Sequence, residues 1–515
     1  MTALQDFARL SGKIYIDGRF ETSRTTQFLD VIDPATEERA GGIADTTDGE
    51  VDHAIELANS ARRVWMGMDS RSRAVILHDI AALLRRDKAP YAECLTREEG
   101  KPYKESVDEV SWCATAIDYY AELARHETGR LAGATVPGQF HFSVKEPLGT
   151  IVIVLPFNYP LVLLCWEAAA ALAAGNAVIV KPHEQTSLTT LKFMEVFATL
   201  PPGLMQVLTG GARVGQRLIS SSGTHGVAYT GSVAVGQAVA RTCAETFKPC
   251  LIEASGNDPF IVMPSAPLDM AVRGAAFAAY LNCGQVCTSA ERFYVHEKIH
   301  DAFVEGLVAE AQKLRIGSGL GPVDMGPLAT RRQRERYEGL IARAREQGAK
   351  TATGGGRPAE HNRGWFVHRP IAIPQQSQGA LEARSRPSAM GANPKGVSPW
   401  GIRPGFGASA ESIVSIRGRD LRKENAEFLV NLAHERNVTP RSTECDPTAL
   451  EREDQHGFCH AGRHMDDQHE VLWCAASMDF QRAAASVSSG FVWCADITCN
   501  FRERMQGEPS CQRRT

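Results

Sequence analysis

The sequence predicts an α/β fold built around a parallel β-sheet covered by helices on both faces. Two observations carry this. Between residues 149 and 229 short apolar runs rich in Val and Ile alternate with helical stretches, the order that builds strand–helix–strand units. The runs at 149–155, 176–180, 205–208 and 226–229 are continuous rather than alternating in polarity, as strands buried on both faces require. Ligands of such sheets bind outside the carboxyl ends of the strands, so those ends are the places to look for chemistry.

Length and composition bound the rest. A chain of 515 residues holds two or three domains, and 43% hydrophobic content is ordinary for a globular protein. The formal charge of -4 reflects 56 basic and 60 acidic residues, so no polyanion-binding surface is expected and nucleic acid is excluded as a partner. Residues 1–10 carry Asp6 and Arg9 without an apolar signal core, and no run reaches membrane-spanning length. The expectation is a cytoplasmic protein with no membrane partner, whose 13 cysteines are thiols of a reducing compartment.

Taken in order, residues 13–20 read as a strand entering a turn at Asp17-Gly18, and Asp33-Pro34 marks a second turn. Ala74, Leu77, Ile80, Ala81 and Leu84 recur at helical spacing behind a cap at Asp69 or Ser70. A second amphipathic helix covers 105–126. Between 138 and 145 the pattern alternates, with Phe140, Phe142 and Val144 on one face, which predicts a hairpin arm or bridging strand of the kind used in subunit contacts.

The strand ends then carry polar residues a plain scaffold does not need. After the first buried run comes Pro156-Phe157-Asn158, and after the second Lys181-Pro182-His183-Glu184. After the Tyr229 run, Gly231-Ser232 opens a helix whose free amides suit a phosphate. Singly, Gly231-Ser232 also reads as a helix cap and Lys181 with Glu184 as a solvated pair; together they suggest a dinucleotide site. Further on, Asn282-Cys283-Gly284-Gln285-Val286-Cys287 places a cysteine in a turn behind the apolar run 275–281. Such a thiol is either core packing or a presented nucleophile.

Six ordered motifs decide among these readings: Pro156-Phe157-Asn158, Lys181-Pro-x-Glu184, Thr230-Gly231-Ser232, the run 251–256 containing Glu253 and Gly256, Gly284-Gln-x-Cys287, and the run 324–328. With them the chain resembles the aldehyde dehydrogenase superfamily from about residue 13 to about residue 373. The resemblance implies a Rossmann-like NAD-binding domain (1–126 and 146–253), a small β oligomerisation arm (127–145) and the first part of an α/β catalytic domain (254–373). It implies Cys287, as thiolate, for attack on an aldehyde, Asn158 for the oxyanion and Glu253 as general base for thioester hydrolysis. Relatives that transfer the acyl group to coenzyme A generally lack a carboxylate at the Glu253 position. Pro156, Phe157, Lys181, Glu184, Gly231, Ser232 and Gly256 become the cofactor-binding set. A carboxylate at Glu184 accepts from ribose hydroxyls and repels a 2′-phosphate, which favours NAD over NADP. A homodimer or homotetramer and a small aldehyde substrate follow from the family. Glu291-Arg292 is similar to relatives acting on hydroxyaldehydes or semialdehydes, Ala254-Ser255 departs from the usual Leu-Gly, and Cys283 is either a disulfide partner of Cys287 or a pocket-lining residue.

The resemblance stops near Pro374. The family's Glu-x-Phe-Gly-Pro motif, which would anchor the nicotinamide ribose, is missing, and the region reads Leu381-Glu382-Ala383-Arg384 instead. Residues 431–470 hold only four Val, Ile, Leu or Phe, too few to build a core. Residues 374–515 are therefore expected to be an atypical tail, either disordered or, from 374 to about 485 and as far as 515 at most, the product of a shifted reading frame or a replaced segment. An impaired homologue is the alternative function. His456, Cys459, His460, His464 and His469 raise a metal-binding alternative for this tail that matches no zinc pattern, and no metal site is expected.

Overall fold

The computed structural model describes residues 2–126, 129–132, 139, 141–358, 364–365, 371–373 and 413–418. Its first part runs α1 (Ala3–Leu10), β1 (Lys13–Ile16), β2 (Arg19–Thr22), β3 (Phe28–Ile32), β4 (Arg39–Ala44), α2 (Asp48–Gly67), α3 (Ser70–Arg86), α4 (Lys88–Glu99), α5 (Tyr103–His126), β5 (Arg130–Ala132) and β6 (His141–Ser143). The alternating part follows as β7 (Thr150–Val154), α6 (Pro160–Ala173), β8 (Ala177–Lys181), α7 (Ser187–Phe193), β9 (Met205–Val207), α8 (Ala212–Ser220), β10 (Gly226–Gly231), α9 (Val233–Ala244) and β11 (Cys250–Ala254). Beyond it come β12 (Asp258–Val262), α10 (Leu268–Tyr280), β13 (Ala290–His296), α11 (His300–Lys313), α12 (Arg331–Glu346), β14 (Lys350–Thr353), β15 (Ile371–Ile373) and β16 (Ile413–Gly418).

The first sheet has the order β11-β10-β7-β8-β9-β1-β2, and its strands from β11 to β9 are parallel. Every residue of β8 is buried, and successive strand residues face opposite ways, so both faces of the sheet are covered. The chain begins at β7, steps to β8 and β9 on one side, then crosses back to β10 and β11 on the other. The reversal point between β7 and β10 is where an open sheet leaves a crevice.

Three local features explain neighbouring elements. Asp69, not Ser70, caps α3, accepting from the Ser72 N–H at 2.9 Å; such a cap contributes about 1 kcal/mol. Asp17 (φ 51°) and Gly18 (φ 75°) form the tight turn between β1 and β2, and Tyr15 pairs antiparallel with Val207. The sequence marks this hairpin but not its position at the sheet edge. The 138–145 alternation forms β6, paired with β5 in a separate two-stranded ribbon; Phe140 lies outside the described residues.

A second sheet, β12-β13-β16-β15-β14, covers the later residues and has its own core around Val262, Tyr280, Phe293, Phe303 and Tyr337. Its strand β16 comes from the 374–515 stretch and lies parallel to both β13 and β15. The remaining readings for that stretch, including 381–384, 431–470 and the His456–His469 set, lie outside the described residues. Among the described residues no helix is long and apolar enough to cross a membrane.

Candidate active site

The first sheet sets the geometry. Val154 at the end of β7 stands opposite Lys181 of β8 on one side and Tyr229 of β10 on the other, while Gly231 stands opposite Ala254 of β11. The segments Pro156 to Asn158, Lys181 to Glu184, Gly231 to Ser232 and Glu253 to Gly256 therefore leave the same edge of the sheet side by side. Sequence reasoning grouped them by motif; strand register brings them together.

On the β8 side, Lys181 Nζ donates to Glu184 Oε1 at 3.0 Å; the lysine side chain is 7% exposed and the glutamate 37%. Burial works against the Glu184 charge, but Lys181 and His183 more than offset it and hold its pKa below the usual value. Phe157 is buried, with its ring edge-on to His183 at 5.3 Å, and Pro156 is half-buried beside it. On the β10 side, Ser232 is the N-cap of α9, yet its side chain makes no capping bond. An uncapped helix start leaves amide donors for an anion. A Cβ on Gly236 would stand 2.8 Å from Ile252 Cγ2, so glycine there lets α9 pack onto β11, and at Gly231 it would stand 2.4 Å from Tyr229 Oη. An accepting carboxylate, a donating ammonium and unused amides are the polar groups a nicotinamide dinucleotide needs, and the residues present fit it.

The cysteine turn is unusual in its backbone. After α10, Asn282 (φ 48°), Cys283 (φ 55°) and Gly284 (φ 68°) are successively left-handed. For each non-glycine residue this costs about 1–2 kcal/mol. Hydrogen bonds hold the conformation in place. The Asn282 N–H donates to Glu105 Oε2 at 2.9 Å, Asn282 Nδ2 to the Asn158 carbonyl at 3.1 Å, and Gln285 N to the Asn282 carbonyl at 2.9 Å. Asn158 Nδ2 donates to the Gln285 carbonyl at 2.8 Å, tying the β7 loop to the turn just before Cys287. That bond uses one of the two protons of the Asn158 amide. Cys283 is buried in the second core.

Cys287 itself is half-buried. Burial pushes its thiol up to about 11, with Asp258 and Glu253 adding to the effect. Burial thus disfavours the charged sulfur, so that forming the thiolate calls for a base. Glu253, on β11, is accessible to solvent, yet surrounding protein raises its pKa by excluding water. Gly256 is needed for close approach, because a Cβ there would lie 2.5 Å from the Cys287 carbonyl oxygen and 2.7 Å from Asp258 Oδ2. Glu291 accepts the Asp258 N–H at 2.8 Å and Arg292 Nη2 donates to the Asn257 carbonyl at 2.6 Å. Both are engaged with the start of β12.

A buried charge network lies beneath, and sequence reasoning missed it. Lys101, with a fully buried side chain, donates to Glu109 Oε2 at 2.7 Å and to the Asn158 carbonyl, and sits 3.8 Å from the centre of the Tyr159 ring. Burial disfavours its charge, but Glu109 and Glu99 outweigh that and raise its pKa. Glu109 Oε1 in turn accepts the Leu161 and Val162 N–H groups at 2.9 and 3.2 Å, satisfying the start of α6, which has no cap of its own. The run Glu98-Glu99-Gly100-Lys101-Pro102 reads as a solvated turn. Its only outward signal is Gly100, at φ 105°, where a Cβ would meet Pro327 and Pro34 at 2.8 and 2.9 Å.

Comparison with known proteins adds a family. The model for "Aldehyde dehydrogenase family" matches residues 20–377. The chain is similar to 3,6-anhydro-alpha-L-galactose dehydrogenase of Vibrio sp. (strain EJY3), with 32% identity over 71% of this chain and 78% of that protein. It is 33% identical to succinate-semialdehyde dehydrogenase [NADP(+)] of Escherichia coli (strain K12), over 73% and 78% of the two chains. Among solved structures it superposes on the NAD+ complex of an aldehyde dehydrogenase from Bacillus cereus with a TM-score of 0.73 and 26% identity, covering 84% of this chain and 83% of that one.

Proposed function

The chain belongs to the aldehyde dehydrogenase family, and on that premise we propose that it oxidises a small aldehyde to the carboxylic acid with NAD as acceptor. The observation that carries this reading is the alignment of four strand ends on one sheet edge, with the Cys287 turn tied to that edge by the Asn158–Gln285 bond. Glu253 takes the Cys287 proton, which the high thiol pKa makes necessary, and the sulfur adds to the carbonyl carbon. Asn158 Nδ2 and the Cys287 N–H hold the oxyanion of the thiohemiacetal, each donor contributing about 3–4 kcal/mol by analogy with other oxyanion holes. A dinucleotide bound by Lys181, Glu184, Ser232 and the start of α9 supplies the hydride acceptor. Glu253, exposed to solvent, passes that first proton to bulk water and, ionised again, takes a proton from the water that cleaves the thioester, which favours a free acid over acyl transfer to coenzyme A.

Glu184 supports NAD over NADP, because its carboxylate repels a 2′-phosphate. Residues 1–126 and 146–253 are assigned to cofactor binding and 254–373 to the first part of the catalytic domain. The β5–β6 ribbon, with Leu131 69% exposed, is assigned to a homodimer or homotetramer contact, and the location to the cytoplasm. The test is NADH formation from a panel of short aldehydes, with Cys287→Ala as control. Equal rates for the two proteins would refute the nucleophile, and a faster reaction with NADP would refute the cofactor choice.

A further inference from the structure

Resting on the reading that Glu253 is the base, we propose that Glu167 is its charge-setting partner: Glu167 holds a proton beside Glu253, so that the single negative charge of the pair stays on the base. The geometry begins with α6, an otherwise apolar helix in which Glu167 is the one acidic residue. Its Oε1 accepts a hydrogen bond from Thr230 Oγ1 at 2.8 Å. Thr230 is the register partner of Glu253 on the parallel strands β10 and β11. Register partners on adjacent strands lie about 5 Å apart and point to the same face. The face that carries Glu253 is therefore the face on which Thr230 meets Glu167.

The second carboxylate oxygen makes the case for a proton. Glu167 Oε2 is closed off from solvent and has no hydrogen-bond partner among the described residues. An ionised carboxylate in that state loses the hydration of one oxygen with nothing in return, whereas a protonated carboxyl does not carry that charge inward. Burial, reinforced by the charge of Glu253 and opposed by the Thr230 bond, raises its pKa to about 8. The titratable groups facing it are Glu253 from β11 and Tyr120 from α5, whose own pKa is raised to about 12 by burial with Glu167 contributing. The other charges against α6 are spoken for at its two ends: Glu109 by Lys101 and the Leu161 and Val162 amides, Arg73 by the Ala173 carbonyl. No cation among the described residues counters Glu167.

Glu167 forms and breaks no bond to substrate. In hydrolysis, Glu253 takes a proton from water as the water oxygen bonds to the thioester carbon; the C–S bond then breaks and that proton passes to the departing Cys287 sulfur. Throughout, the proton on Glu167 stays in place. When it is lost at alkaline pH, a second negative charge opposes formation of the thiolate and the oxyanion, and the rate falls.

The experiment is the pH profile of kcat/KM from pH 6 to 10 for the full-length protein and for Glu167→Gln, which keeps the shape without the ionisation. Wild type is expected to decline several-fold above pH 8, and Glu167→Gln to lack that alkaline limb. An unchanged profile, even at a uniformly lower rate, would mean a merely structural role and overturn the proposal. Infrared titration of the wild-type carboxyl stretch supplies a reading that needs no folded variant. A Glu167 signal ionising near the ordinary value of about 4 would overturn it as well. Absence of aldehyde-dependent activity in wild type would instead sink the dehydrogenase reading, and the infrared result would still stand apart from it.

Discussion

Replacing Lys101 with methionine tests the support beneath the catalytic turn. The ammonium is fully buried and held by Glu109, the Asn158 carbonyl and the Tyr159 ring. Methionine keeps most of the volume but leaves a buried carboxylate without its cation. Breaking a buried pair from one side costs about 3–5 kcal/mol. Glu109 keeps two backbone N–H donors from α6, which places the expected loss near the lower end, about 3 kcal/mol. The Asn158 carbonyl also loses its charged donor, so the loop carrying the amide proposed for the oxyanion relaxes and kcat is expected to fall by about tenfold or more. Urea unfolding and steady-state kinetics measure the two effects separately. Adding Glu109→Gln to the Lys101→Met protein removes the stranded charge and recovers part of the stability. A loss under about 1 kcal/mol, or a double variant no more stable than the single one, would refute the reasoning.

Three further outcomes follow from the same geometry. Gly256→Ala forces a methyl group against the Cys287 carbonyl oxygen, where only 2.5 Å separates them. It should cut kcat by about a hundredfold with an unchanged circular dichroism spectrum, since a shift of about 1 Å at a nucleophile costs that much. Alkylation of Cys287 by iodoacetamide in the cofactor-free protein, followed by peptide mass spectrometry, should accelerate about tenfold per pH unit through pH 9 and level only towards about 11; a plateau below pH 8 contradicts the protonated resting thiol. Because that pKa is raised above its unfolded value, the stability it contributes is complete below the unfolded pKa and is lost as pH climbs towards about 11. Glu184→Ser should raise the ratio of NADP to NAD efficiency by about tenfold or more by removing the carboxylate that repels a 2′-phosphate, measured from kcat/KM with each cofactor; an unaltered ratio would remove Glu184 from cofactor selection.

Legibility in the sequence tracked the range of the physics. Pro156, Lys181 and Gly231 could be located because each follows an unbroken buried run, a signal contained in a handful of adjacent residues, whereas Glu253, on the half-exposed β11, was located by its motif alone. Their juxtaposition depended on strand register, which no local pattern specifies. The β1–β2 hairpin was visible through Asp17-Gly18, but its pairing of Tyr15 with Val207 spans most of the first sheet's chain length. Lys101 and Glu109 escaped notice because charged residues near helix ends look solvated until a fold buries them. Cys283 gave no warning of its left-handed backbone, since cysteine carries no preference for it. Glu167 is the exception: a lone carboxylate in the apolar run 160–173 was there to be read, and its meaning required only the Thr230 contact.

The position of β16 has a consequence for how the protein is made. Because that strand lies between β13 and β15, the second sheet cannot close until the ribosome has moved well past Gly418. Until then β13 emerges with one bare edge, its amides and carbonyls open to any neighbouring nascent chain. Contacts this distant in sequence also form slowly. The yield of folded protein should therefore depend on chaperone supply and translation speed more strongly than the stability of the finished fold suggests.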